Sequence, residues 1–399
     1  MKYAYIDTDS GLVDFCRQAA QADFIGFDTE FVSEDTYRPE LCLLQIAADA
    51  DLAVIDPQPI RNLLPFWQLL SAPGHVTVVH AGREELLFAM RAAGKTPHHL
   101  FDLQLAAAFV GLEYPAAYGT LIHRLLGKTL SKGETRTDWR KRPLTKRQLE
   151  YAIQDVVHLQ PMYDELTKQL ISLDRLPWLE AEMETWQERI ITHTQQENWR
   201  RVSGSNGLSQ RSLAIVRELW RWRNEEAERR DKPVKRVLRD DLIVELARRQ
   251  TADVKQMQAV RGMERGDLRR NSSQMAAAVS KALALPDDQL PQRGRKPAQR
   301  QLATIGQFMH MALNSICRSE RITPGIVATV DDVRDFVADH CGLERNSDDP
   351  PALSSGWRVE VVGERLQQLL QGQTTLRVRD PLADDPLVFE NLSDQPSNT

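Results

Sequence analysis

Over the first 200 residues, short apolar runs alternate with stretches in which apolar positions recur every three or four residues. Such alternation is the mark of an α/β fold. The runs Tyr3–Ile6, Phe24–Phe31, Leu41–Ala47, Leu52–Ile55 and Val76–His80 predict strands. Helical periodicity predicts helices over 9–21, 62–71, 83–92, 103–111, 118–127 and 145–170. Ala48-Asp49-Ala50-Asp51, between the third and fourth runs, predicts a tight antiparallel connection. Past residue 200 the strand signals almost vanish, and the pattern becomes helical.

Three neighbouring antiparallel strands followed by helix-linked strands is the order of ribonuclease-H-like folds. Two breaks, Ser203-Gly204-Ser205-Asn206-Gly207 and Pro291-Gln292-Arg293-Gly294-Arg295-Lys296-Pro297, divide the remainder. The helical blocks on either side of the second break repeat weakly. Lys232-Pro233 followed by Val237-Leu238-Arg239-Asp240-Asp241-Leu242 corresponds to Thr323-Pro324 followed by Ala328-Thr329-Val330-Asp331-Asp332-Val333, at a constant offset of 91 residues. In each, a proline precedes a helix and an Asp pair sits near a helix start, where capping and the macrodipole favour it. The expected organisation is an α/β domain over 1–200, two all-α modules over 207–290 and 298–380, and a disordered tail over 381–399 rich in Asp, Pro, Ser and Asn.

Charge sharpens this division. The net charge of −5 separates into −8 for residues 1–200, +6 for 201–290 and −3 for 291–399. An acidic front suits carboxylates that hold divalent cations, and a basic middle suits contact with phosphates. Four cysteines with no CxxC pair argue against disulfides and zinc and point to a reducing cytoplasm. The N-terminal stretch shows no apolar core of signal-peptide length, and no apolar run of 18 residues is present.

The candidate chemistry lies in the first half. Asp28 and Glu30 interrupt the apolar strand Phe24–Phe31, and side chains two apart on a strand share a face. Tyr151 and Asp155, four apart in a helical segment, also lie side by side. Convergent carboxylates are hard-oxygen ligands for Mg²⁺ or Mn²⁺. Two such ions about 3.5–4 Å apart stabilise both oxygens exchanged in phosphodiester cleavage. Asp102, just before Leu103-Gln104-Leu105, reads as a helix N-cap, and His80 as a structural neighbour of the site. Lys132, Arg136, Trp139, Arg140, Lys141 and Arg142 form a basic loop with one aromatic, suited to a nucleic-acid backbone and a stacked base. Arg229, Arg230, Lys235 and Arg236 in the first helical module are further phosphate candidates, although Glu225, Glu226 and Glu228 are interleaved with them.

Four motifs in order carry a resemblance. They are Phe27-Asp28-Thr29-Glu30-Phe31, His80-Ala81-Gly82, the run from Ser131 to Trp139, and Arg142-Pro143-Leu144 leading to Tyr151-Ala152-Ile153-Gln154-Asp155-Val156. With the paired helical blocks, which resemble HRDC domains, they make the chain similar to the ribonuclease D family of tyrosine-bearing DEDD 3′→5′ exoribonucleases. The resemblance implies a metal-dependent enzyme that releases nucleoside 5′-monophosphates, with tRNA precursors among its RNA substrates. It implies that Asp28 bridges two metals, that Glu30 and Asp155 complete the first site, and that Tyr151 positions the attacking water. One position departs from the family: its second motif reads His-Ala-Gly-x-Glu-Asp-Leu, and the slot of that Asp holds Glu85. The extra methylene gives the carboxylate a longer reach, so Glu85 is expected to serve the second metal, directly or through water. Two alternatives stay open at this point, a DNA exonuclease and an RNA-binding protein with a weakened nuclease site.

Overall fold

The computed structural model describes residues 2–130, 137–292, 300–345 and 349–392. The first domain is built on a six-stranded sheet of order β1-β4-β3-β2-β5-β6. Its strands are β1 (Ala4–Ile6), β2 (Phe24–Val32), β3 (Glu40–Ala48), β4 (Asp51–Ile55), β5 (Val76–Val79) and β6 (Leu100–Asp102). The pairs β2–β3 and β3–β4 are antiparallel, while β1–β4, β2–β5 and β5–β6 are parallel. This is the ribonuclease-H-like arrangement expected from the order of the apolar runs.

Helices cover both faces. Helices α1 (Asp9–Ala19), α2 (Leu64–Ser71) and α3 (Arg83–Ala93) enclose a core with Ile25, Phe27, Ile46 and Phe66. Against the other face lie α4 (Leu103–Phe109), α5 (Tyr118–Leu126), α6 (Lys146–Val157), α7 (Leu159–Ser172) and α8 (Leu176–Gln195). One helix is predicted over 145–170, yet the chain breaks at His158 between α6 and α7. Pro161 has no N–H to continue the ladder of α6 back to the Val157 carbonyl. Strand β6 escapes the apolar pattern because its residues run straight into the Asp102 cap of α4, at the edge of the helical periodicity.

The first helical module comprises α9 (Gln210–Arg229), α10 (Val234–Val237), α11 (Asp240–Arg249), α12 (Val254–Gln258), α13 (Gly266–Arg270) and α14 (Ser272–Leu283). The second opens in the same order with α15 (Arg300–Ser319), α16 (Pro324–Val327) and α17 (Val330–His340), then continues through a π-helical turn, Val359–Gly363, into α18 (Glu364–Leu370). Thr329 and Asp332 form a reciprocal cap at the start of α17, as the Asp pair suggests.

The end of the chain corrects the expectation of an all-α second module followed by a disordered tail. Thr374–Val378 (β7) and Leu387–Asn391 (β8) pair as an antiparallel hairpin, so residues 381–392 are structured. Leu376 and Phe389, cross-strand partners, pack against the core, which offsets the polar composition of this stretch. Among the described residues no helix is long and apolar enough to cross a membrane.

Candidate active site

The alternation of β2 separates its two tasks. Ile25 and Phe27 point into the core with Phe66 and Trp67, whereas Asp28 and Glu30 emerge on the opposite face, where that core ends. Opposite them stands α6, whose start is fixed by a capping box. The Gln148 N–H donates to Thr145 Oγ1 at 3.2 Å, and the Thr145 N–H to Gln148 Oε1 at 2.8 Å. Ala152, Ile153 and Val156 seat this helix on the sheet, and the same winding turns Tyr151 and Asp155 toward Asp28 and Glu30. The result is a cleft of about 240 Å³ lined by these four residues together with Thr29, His80, Tyr118 and Leu159.

The electrostatics of the cleft call for a cation. Burial, then the neighbouring Asp155, push the Asp28 carboxyl well above the usual range. Burial, then Asp28, Asp155 and Glu85, raise Glu30 to about 9. Burial raises Asp155 also, opposed by a hydrogen bond from the Tyr151 hydroxyl. Burial and the Asp155 charge raise Tyr151 in turn, so its phenol stays protonated. Among the described residues no lysine or arginine lines the cleft. Carboxylates crowded in this way ionise together only beside a positive charge, and an all-oxygen set suits a hard divalent ion. Among the described residues no three side chains form a ready-made ion cage.

Glu85 lies beneath the cleft rather than on its wall. It is buried at the start of α3 and accepts a hydrogen bond from Thr29 Oγ1 at 2.5 Å, between the two acidic positions of β2. Burial, then the Asp28 charge, raise its carboxyl. Glu84 instead pairs with Arg83 and with Arg91. The approach of α3 depends on the turn before it. Ala81 has φ +55°, and a Cβ at Gly82 would run into the Val79 side chain. Asp102 secures this turn, accepting from the Ala81 and Gly82 N–H groups at 3.2 and 2.8 Å while capping α4 through Gln104 and Leu105. His80 meets the Ala116 carbonyl at 3.0 Å and stands edge-on to Tyr118. Tyr118, whose hydroxyl donates to the Gln154 carbonyl, is a cleft residue that no sequence motif indicates.

The basic loop requires correction. Trp139 is 5% exposed and packs with Cys42, Leu43 and Ile153, its ring 6.1 Å from that of Tyr151, so it supports α6 and offers no face to a base. Arg142 is bound to Asp56 by Nε at 2.5 Å and Nη2 at 2.8 Å, and it also donates to the Cys42 and Trp139 carbonyls. It is a structural tie, not a free phosphate ligand. Arg140 is held by Asp138 at 2.9 Å. Lys132 and Arg136 lie outside the described residues. In the first module, Arg229 and Arg230 pair with Glu226 and Lys235 with Asp240, although Arg229 and Lys235 stay largely exposed. Arg236 bonds Asp35 of the first domain at 2.7 Å.

Comparison with known proteins places the chain in a family. Residues 3–171 match the 3′–5′ exonuclease family and residues 212–279 the HRDC domain. Ribonuclease D of Zymomonas mobilis is 34% identical over 388 residues, covering 93% of this chain and 95% of the relative. Ribonuclease D of Escherichia coli K12 is 31% identical over 385 residues, covering 93% and 99%. A crystal structure of Escherichia coli RNase D, described as an exoribonuclease involved in structured RNA processing, aligns with a TM-score of 0.82 over 93% of this chain and 99% of that one. With sequence and fold shared along almost its whole length, the chain belongs to the ribonuclease D family of metal-dependent 3′→5′ exoribonucleases.

Proposed function

We propose that Asp28, Glu30, Tyr151 and Asp155, with Glu85 behind them, form the site at which RNA is shortened from its 3′ end, and that two divalent ions, Mg²⁺ or Mn²⁺, serve it. Asp28, central among the carboxyls, would be shared between both ions, Glu30 and Asp155 would complete one of them, and Glu85 would serve the other. When bound, the ions supply Lewis acidity at the phosphate and lower the pKa of water. Tyr151, kept protonated and hydrogen-bonded to Asp155, then has hydroxyl lone pairs free to orient an attacking water. It acts by positioning rather than as a base. The observation that carries this reading is the set of carboxyls crowded on one cleft, among whose described lining residues there is no lysine or arginine.

The expected products are nucleoside 5′-monophosphates, and the substrates 3′-extended tRNA precursors in the cytoplasm. The exposed Arg229 and Lys235 would steer the body of such an RNA. Incubation of the wild-type chain and Asp28→Asn with a 3′-tailed tRNA and a matched DNA, in Mg²⁺, Mn²⁺ or chelator, tests the proposal. Cleavage of the RNA tail by the wild type alone, lost in chelator, is expected. Retention in Asp28→Asn of more than about a tenth of the wild-type rate, a difference of only about 1.4 kcal/mol in barrier, rejects the assignment.

A further inference from the structure

Gln45 lies in the middle of β3 with no exposure to solvent, and both Nε2 and Oε1 of its amide are buried without a hydrogen-bond partner among the described residues. In the antiparallel register it stands directly opposite Asp28. Such partners project from the same face with Cβ atoms about 5 Å apart. Its opposite neighbour on β4 is Val54, and Leu43 and Ala47 flank it along the strand. Over this patch sits α6, with Ala152 and Ile153 against Leu43 and Val54. These neighbours in the sheet and on α6 are thus apolar, and Asp28 is the polar one among them.

A buried amide with nothing to bond costs about 1–3 kcal/mol per group, and an apolar side chain of this length would fill the space without that cost. The amide carries two donors and one acceptor, a match for a carboxylate oxygen or for one enclosed water bridging to it. We propose that Gln45 is a positioning residue for Asp28: its amide, through one internal water, holds the Asp28 carboxylate in the orientation that presents its oxygens to the cleft. This rests on the reading of Asp28 as a metal-holding group.

Gln45→Met keeps length and volume while removing every polar atom but a thioether. For the full chain, Mn²⁺ affinity measured by calorimetry without RNA should weaken about tenfold, and kcat should fall by a similar factor, as is usual when a partner behind a metal ligand is lost. KM for RNA should stay unchanged, and the thermal midpoint should hold or rise. Wild-type Mn²⁺ affinity and kcat in Gln45→Met overturn the proposal, whatever the midpoint does. Should the variant not fold, the side-chain ¹⁵N–¹H signals of Gln45 in the wild-type chain decide. A shift on adding Mg²⁺ supports the role, and an unmoved signal overturns it. Asp28→Asn in the same calorimetry separates the two claims. Loss of Mn²⁺ binding there with none in Gln45→Met removes Gln45 alone, whereas retained binding in Asp28→Asn removes the site reading beneath it.

Discussion

The two helical modules open with the same elements, a 20-residue helix, a one-turn helix and a helix started by an Asp pair, yet they join the catalytic domain in opposite ways. The first closes a core of its own from residues 199–290. Its buried charges are answered internally, Arg223 by Asp240 at 2.6 Å and Glu218 by Lys281 at 2.8 Å. It meets the catalytic domain through polar contacts at the loop after β2: Arg236 with Asp35, Arg38 with Glu228 at 2.5 Å, and the Tyr37 N–H with Asp231 at 3.0 Å. The second shares one continuous core with α4, α7 and α8. Trp357 packs on Phe109 and Trp178, Arg175 donates to the carbonyls of Phe109, Glu320 and Arg321, and the Thr323 N–H donates to the Ala108 carbonyl at 2.9 Å. Gly111, at φ +81°, lets the backbone of Arg321 approach to a distance that a side chain would forbid. A repeated local pattern therefore fixes the order of elements, while side chains scattered along them decide whether a copy is independent.

Dissection should break this symmetry most visibly. Residues 198–292 alone are expected to give a cooperative thermal melt by circular dichroism, and residues 300–392 alone are not. A chain ending at residue 292 should aggregate, since Phe109 and Trp178 lose their cover. A cooperative melt of the isolated second module would end the distinction. A smaller effect is expected for Arg175→Ala, which leaves buried carbonyls without a donor and should lower stability by about 3 kcal/mol in urea unfolding. An equal loss from Arg236→Ala would show the two attachments to be alike. The expected effect of Arg236→Ala is at most about 1 kcal/mol, as for other exposed ion pairs. Its signature should be geometric instead, a larger radius of gyration in solution scattering, which high salt reproduces in the wild type.

What the sequence discloses is what is decided locally. Strands β1 to β5 and the start of α4 at Asp102 follow from alternation and capping within a few residues. Asp28, Glu30, Tyr151 and Asp155 stand out because two-residue and four-residue spacings imply shared faces. Trp139 and Arg142 mislead for the converse reason. An aromatic in a basic loop looks the same whether it faces RNA or a core, and the partner of Arg142 is Asp56, distant in sequence. Tyr118 reaches the cleft only through the packing of α5. Arg236 pairs with Asp35 in a loop of another domain, a contact that no periodicity contains, whereas the partner of Arg229, Glu226, lies three residues away on α9 itself.

The position of Asp35 has a thermodynamic consequence. It lies five residues beyond Glu30, in the loop after β2, and its two oxygens face Arg236 of the first module and Arg140 of the loop before α6. Coupling free energies are reciprocal: whatever grips the module and shifts its seat on this loop must itself be held more or less tightly once the cleft is filled. The body of an RNA and its 3′ end then cease to be independent ligands. The affinity of a dinucleotide too short to reach the module should therefore change in Arg236→Ala, and an unchanged value would mean that the two ends of the substrate are read separately.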